Sequence, residues 1–191
     1  MIILNQHLPA DTYRAANRKA VDINRIIIHH SGGGIGGLLS TLNQRKLSYH
    51  YVILPSGKVW ELVSVRHVAW HAGNANGDSI GIAFVGNFEY SEPTEMAYQA
   101  GLDLIAELEM TDRPIIGHRE VSATVCPGMV DLDKLRHPKM ATFAPWAERA
   151  WLWGISGGVT DGKRPNDPLT RQEAMVMLYR LWQMVLNLNK Q

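Results

Sequence analysis

The sequence predicts an α/β fold: a mixed central β-sheet flanked by helices, followed by a small C-terminal α-helical module. Three observations carry that expectation. Short apolar runs of strand length recur along the first two thirds of the chain, the clearest being Arg25 to Ile28 and Ser79 to Val85. After them, Ala97, Gly101, Leu104 and Leu108 return at helical spacing. Four of the six tryptophans, Trp146, Trp151, Trp153 and Trp182, fall in the last 49 residues, so composition shifts near Phe143-Ala144-Pro145 and a boundary is placed there, giving domains 1–142 and 143–191.

In chain order, Arg25-Ile26-Ile27-Ile28 is a short strand, and a helix runs through Leu38, Leu39 and Leu42. Tyr49 to Leu54 is the next strand, Pro55-Ser56-Gly57-Lys58 a turn, and Val59 to Val63 the returning partner of a hairpin. Ser79-Ile80-Gly81-Ile82-Ala83-Phe84-Val85 has the look of a strand buried on both faces. A hairpin beside such a strand makes the sheet mixed. Pro93 stands at a favourable first-turn position for a helix from about 93 to 110 packed on that sheet. Arg113-Pro114-Ile115-Ile116-Gly117-His118 then puts a second apolar run before a histidine. With 191 residues, 46% of them hydrophobic, the chain can bury a real core.

Charge excludes some partners. Nineteen Lys and Arg stand against 18 Asp and Glu, a formal charge of +1, which leaves no electrostatic footprint for nucleic acid or an anionic membrane. The opening Met1 to Pro9 has neither a basic leader nor an apolar run of signal-peptide length, and no later stretch is long enough to cross a bilayer. The expectation is synthesis in the cytoplasm without a signal peptide and without membrane insertion.

Cys126 is the only cysteine, so it cannot staple its own chain and its value lies in packing, reactivity or metal binding. With two histidines from separate segments it would complete a three-ligand zinc site whose fourth tetrahedral position stays open for water. The strand Arg25 to Ile28 delivers His29 and His30 to its end with opposite orientations, so only one of the pair can face such a site. His118 ends another apolar run, and the loop after it can fold Cys126 back within reach. Taken singly, His118 reads as a satisfied core histidine and Cys126 as a small buried hydrophobe; the combination is what points to a metal.

Five segments in order carry a resemblance: Ile26-Ile27-Ile28-His29-His30-Ser31; Tyr49-His50-Tyr51-Val52-Ile53; Trp70-His71-Ala72-Gly73-Asn74; Asn76 with Ser79-Ile80-Gly81-Ile82 to Val85-Gly86; and Gly117-His118-Arg119-Glu120 to Cys126-Pro127-Gly128. From about 20 to 130 the chain resembles the zinc N-acetylmuramoyl-L-alanine amidases of phage endolysins and bacterial autolysins, whose fold the peptidoglycan-recognition proteins share. The resemblance implies that His29, rather than His30, is the ligand that joins His118 and Cys126 on Zn2+. It implies cleavage of the amide between N-acetylmuramic acid and the L-alanine of the stem peptide, with bacterial peptidoglycan as partner, and action at the cell wall after release. A phage or prophage endolysin is the leading expectation, and a muropeptide-binding protein that does not cut is the alternative.

By the same match Tyr49 is the catalytic tyrosine, which orients the attacking water or steadies the oxyanion. Thr124 stands where some phage members carry lysine and the recognition branch often carries threonine; a hydroxyl brings a hydrogen bond but no charge, so more stabilisation must come from the metal. The carboxylate base of another branch is absent, because Ala83 stands at its position. Trp70, His71 and Asn76 are expected to border the substrate groove, whereas His50 and His67 read as structural.

Gly32-Gly33-Gly34-Ile35-Gly36-Gly37 contains a formal G-x-G-x-x-G after a strand, as a dinucleotide turn would. A hairpin rather than an acid-terminated strand follows, so the run is read as a mobile lip of the cleft. In the last segment, Thr170 and Glu173 form a capping box ahead of a helix whose Ala174, Leu178, Leu181 and Val185 make one apolar face. Together with Trp146 to Trp153 and the loop between, it resembles one S-layer-homology-like repeat, which implies cell-wall-polymer binding or a helix pair that only packs.

Overall fold

Alternation along two six-residue strands sets the architecture. In the computed structural model, which describes residues 3–136, Val159 and 171–188, β3 (Arg25–His30) lies parallel to β7 (Ser79–Phe84), with Ile27 beside Gly81 and His29 beside Ala83. Around this pair the sheet runs β1 (Ile3–Asn5), β5 (Val59–Glu61), β4 (Tyr51–Ile53), β7, β3, β8 (Ile115–Gly117). Only β4 and β5 are antiparallel, as the hairpin expectation requires; every other neighbour pair is parallel, so the sheet is mixed. A separate antiparallel ribbon joins β2 (Tyr13–Arg14) to β6 (Val68–Ala69).

One face of the sheet, carrying Ile26, Ile28, Ile80, Ile82 and Phe84, packs against Ala97, Leu104 and Ile105 of α2 (Glu95–Glu107) and Leu135 of α3 (Leu132–Arg136). The opposite face presents Val52, Ala83 and Val85 to Leu38 and Leu42 of α1 (Ile35–Arg45). His29 is an odd-numbered strand residue in register with Ala83, so it belongs to the α1 face. His30 turns to the α2 face, where its Nδ1 accepts the Phe88 N–H at 3.0 Å.

Three local expectations are corrected. Pro93 lies outside the helix, because Thr94 is the cap: its Oγ1 accepts the Ala97 N–H at 3.1 Å and donates to the Pro55 carbonyl at 2.6 Å. The strand begins at Tyr51 rather than Tyr49: its ladder with β5 starts at Tyr51 opposite Glu61, and before it the His50 carbonyl accepts both the Leu62 and the Val63 N–H, which breaks the regular pairing. The glycine run is not a lip throughout. Gly33 bridges Gly86, Gly34 caps α1, and Gly36 and Gly37 lie in its first turn.

The chain divides into two compact units, Met1–His137 and Pro138–Gln191. Of the second, the helix Arg171–Leu188 is described; Trp146, Trp151, Trp153, Thr170 and the first half of the expected helix pair lie outside the described residues. Ala174 and Leu181 are half-buried as expected, but Leu178 is exposed, together with Met175, Tyr179 and Trp182. This helix carries more apolar residues than one covered stripe can hide. No helix among the described residues is long and apolar enough to cross a membrane.

Candidate metal centre

The parallel pairing of β3 with β8 brings the ends of two apolar runs side by side. Ile28 is in register with Gly117, so His29 at the end of one strand meets His118, which opens a single 3-10 turn directly after the other. Their rings are 4.5 Å apart between centroids. The 3-10 turn is closed by Glu120, whose Oε1 accepts the Gly117 N–H at 2.7 Å and the Arg136 guanidinium at 3.0 Å. The loop beyond folds back because the Arg119 N–H donates to the Cys126 carbonyl at 2.8 Å. Gly128, at φ +69°, then lets the chain pass under Phe88, with the Met129 N–H donating to the Phe88 carbonyl.

His29, His118 and Cys126 thus converge, with one ligand atom from each lying within 4.8 Å of the others. Sγ of Cys126 is 3.8 Å from Nδ1 of His29 and accepts the His30 N–H at 3.3 Å. Tetrahedral zinc with ordinary Zn–S and Zn–N bonds sets such donors about 3.5 Å apart, so the nitrogen and sulfur atoms fit that ion with small adjustments. Burial pushes the His29 pKa well below 6.5, helped by His118 and His30, and burial lowers His118 as well. In both, the shift favours the neutral imidazole, the form that ligates metal. Burial raises the Cys126 thiol, which a bound cation would reverse by stabilising the thiolate.

Tyr49 lies against this cluster, its ring 4.9 Å from that of His29. Burial, and then the nearby Cys126, raises its pKa, so it remains a phenol. Thr124 is exposed on the same loop as Cys126, and its Oγ1 accepts the Cys126 N–H at 3.2 Å. Trp70 is half-buried just beyond β6. Asn76 spends its Oδ1 on the backbone N–H groups of His71 and Ala72, at 3.0 and 2.6 Å, and so shapes the turn that carries His71. His71 itself is directed inward, with Nδ1 3.0 Å from Nε2 of His29.

Beside His71 lies a partly buried polar layer built on Arg18 and His50, with the His50 and His71 rings 5.7 Å apart between centroids. Arg18 donates to the carbonyls of Val65, Asn76, Gly77 and Ser79 at 2.9–3.3 Å. His50 is wholly buried, its Nδ1 accepting the Gly81 N–H at 2.9 Å and its Nε2 lying 3.2 Å from the His67 carbonyl. His67 stacks on Tyr13 and bonds Ala16, so both histidines are structural as expected.

Burial, with the Arg18 charge second, pushes His50 down from 6.5 to about 3. Between those values the unfolded chain holds a proton that the folded chain lacks. Stability from this group is therefore complete above pH 6.5 and falls, by about 1.4 kcal/mol per pH unit, as the pH drops toward 3. The urea midpoint is expected to fall between pH 7 and pH 5; an unchanged midpoint would contradict the neutral burial of His50.

Residues 18–129 match the N-acetylmuramoyl-L-alanine amidase family, Amidase_2. Among curated relatives, peptidoglycan-recognition protein SD of Drosophila simulans is 39% identical over 87 residues, 43% of this chain and 47% of that protein. The chain thus spans about half the length of such relatives. The endolysin N-acetylmuramoyl-L-alanine amidase LysCS from Clostridium intestinale URNW superposes with a TM-score of 0.62 at 20% identity, covering 72% of this chain and 94% of that one; it shares the fold. The ectodomain complex of peptidoglycan recognition proteins LCa and LCx, bound to tracheal cytotoxin, gives a TM-score of 0.58 at 27% identity over 68% of this chain and 91% of that one.

Proposed function

Because the chain belongs to the N-acetylmuramoyl-L-alanine amidase family, we propose that it hydrolyses the amide between N-acetylmuramic acid and L-alanine in bacterial peptidoglycan, with Zn2+ held by His29, His118 and Cys126. The observation that carries this reading is the convergence of two imidazoles and one thiol, with one ligand atom from each lying within 4.8 Å of the others. Bound there, zinc would supply a Lewis acid able to activate water and polarise the scissile carbonyl.

The chain's own groups do the rest. Tyr49, held as a phenol against His29, donates a hydrogen bond to the oxygen on which charge develops. Thr124 accepts the Cys126 N–H and so keeps its hydroxyl proton for a substrate oxygen. Trp70 offers apolar surface to sugar or peptide. The unit Pro138–Gln191 serves as an anchor for cell-wall polymer, in keeping with its S-layer-homology-like sequence, and the enzyme acts at the wall after release from a phage-infected or prophage-bearing cell. Deleting residues from about 143 should weaken cell-wall pull-down, and undiminished binding would reduce the segment to a packing element.

Incubation with purified peptidoglycan, followed by mass analysis of freed stem peptides, tests the reaction. Peptides with a free L-alanine amine should accumulate, stop with chelator and resume with added zinc. Tyr49→Phe should lower turnover about 10²–10³-fold while zinc content is kept, as removal of one oxyanion donor does elsewhere. Unchanged turnover would remove Tyr49 from the mechanism. A second reading, muropeptide binding without cleavage, is favoured by the 39% identity to a peptidoglycan-recognition protein, and it predicts retained muropeptide with no freed peptide.

A further inference from the structure

Metal-ligating histidines need their second ring nitrogen held, because the hydrogen on that nitrogen decides which lone pair faces the ion. Nδ1 of His29 faces Sγ of Cys126 at 3.8 Å, so Nδ1 is the nitrogen turned to the other donors. Its hydrogen must then sit on Nε2, which lies 3.0 Å from Nδ1 of His71. His71 accepts there only if its own hydrogen is on its Nε2, and that atom faces Ser79 Oγ at 3.4 Å. The Ser79 hydroxyl in turn donates to the Ala75 carbonyl. Every group in this row donates to the next, and the row ends on a backbone oxygen.

The place of the ring is also built. Gly81, mid-strand in β7 and with an ordinary backbone, has no side chain where one would meet the His71 ring at 2.6 Å from Cγ. A glycine in a strand interior marks close approach by another group, and here that group is His71. Asn76 fixes the other side by accepting the His71 N–H.

We propose that His71 is a positioning residue for the metal centre: it accepts the Nε2 hydrogen of His29 and thereby fixes the tautomer that presents Nδ1 to the ion. The inference rests on the zinc reading above and adds to it a residue that touches no metal.

Zinc affinity, measured by competition with a chromophoric chelator, is the test. His71→Ala should bind zinc about 10–100-fold more weakly than wild type, the loss typical of an outer-shell partner. His71→Asn, which returns an acceptor oxygen to the δ position, should recover most of it. Gly81→Ala, which displaces the ring and leaves every donor in place, should weaken zinc as well. Long-range proton–nitrogen spectra of the zinc-loaded wild-type protein should place the His29 hydrogen on Nε2, a readout independent of how any variant folds. Wild-type affinity in His71→Ala, no recovery in His71→Asn, or a His29 hydrogen on Nδ1 would each overturn the proposal. A wild-type chain that binds no zinc would remove the metal reading itself, and this inference with it.

Discussion

Cys126→Ser should bind zinc more than 100-fold more weakly than wild type and release stem peptide at background rate, with an unaltered circular dichroism spectrum. Cys126 is 8% exposed, accepts the His30 N–H, and is one of three donors. Serine is nearly the same size and can accept the same N–H, so the loop has no steric reason to move. It is not a thiolate, however. The site loses the one donor whose negative charge would offset that of the cation, and two neutral imidazoles remain to hold the ion alone. An affinity loss beyond the 10–100-fold typical of outer-shell partners follows from removing a direct ligand. Chelator competition and peptide release measure the two effects, and wild-type zinc affinity in Cys126→Ser would exclude the sulfur from the donor set.

Gly128→Ala attacks the same site through the backbone. Gly128 sits at φ +69°, a region where a side chain costs about 1–2 kcal/mol, and an added Cβ would stand 2.2 Å from the Phe88 carbonyl oxygen. Neither atom belongs to a side chain that can rotate away, so the loop must shift. Cys126 lies two residues before it, on the segment that the Gly128 N–H pins to the Val125 carbonyl. The expected result is a melting temperature lower by about 10 °C, from strain and clash together, with weakened zinc binding. Gly77→Ala, at an exposed position with nothing within 4 Å of the added carbon, is the matched control and should change neither. A Gly128→Ala protein that melts and binds zinc like wild type would show that the loop is not set by this close approach.

What could be read from sequence follows the range of the forces involved. His29 and His118 each close an apolar run and Cys126 is alone, so strand alternation and residue chemistry were enough to bring the three into one hypothesis. The hairpin between Tyr51 and Glu61 was legible for the same reason, since a proline-glycine turn between apolar runs acts locally. Arg18 was not. Nothing beside it in sequence marks it as half-buried, because its carbonyl partners at Val65 and Asn76 to Ser79 arrive from distant loops. The inward placement of His71 was not legible either, because nothing beside it in sequence shows that its imidazole meets that of His29. Gly81 carried the missing signal, a glycine inside an otherwise unbroken apolar strand. Pro93 misled by a residue or two, because Thr94 outbids it as the start of α2 by bonding both Ala97 and Pro55.

Metal content measures the central claim most directly. Protein refolded with zinc and passed over a desalting column should hold one zinc per chain by elemental analysis, and His29→Ala, His118→Ala and Cys126→Ser should each hold far less. A correctly folded wild-type chain that retains no zinc would contradict the account, because nothing else in the cluster would then supply the Lewis acid for amide hydrolysis.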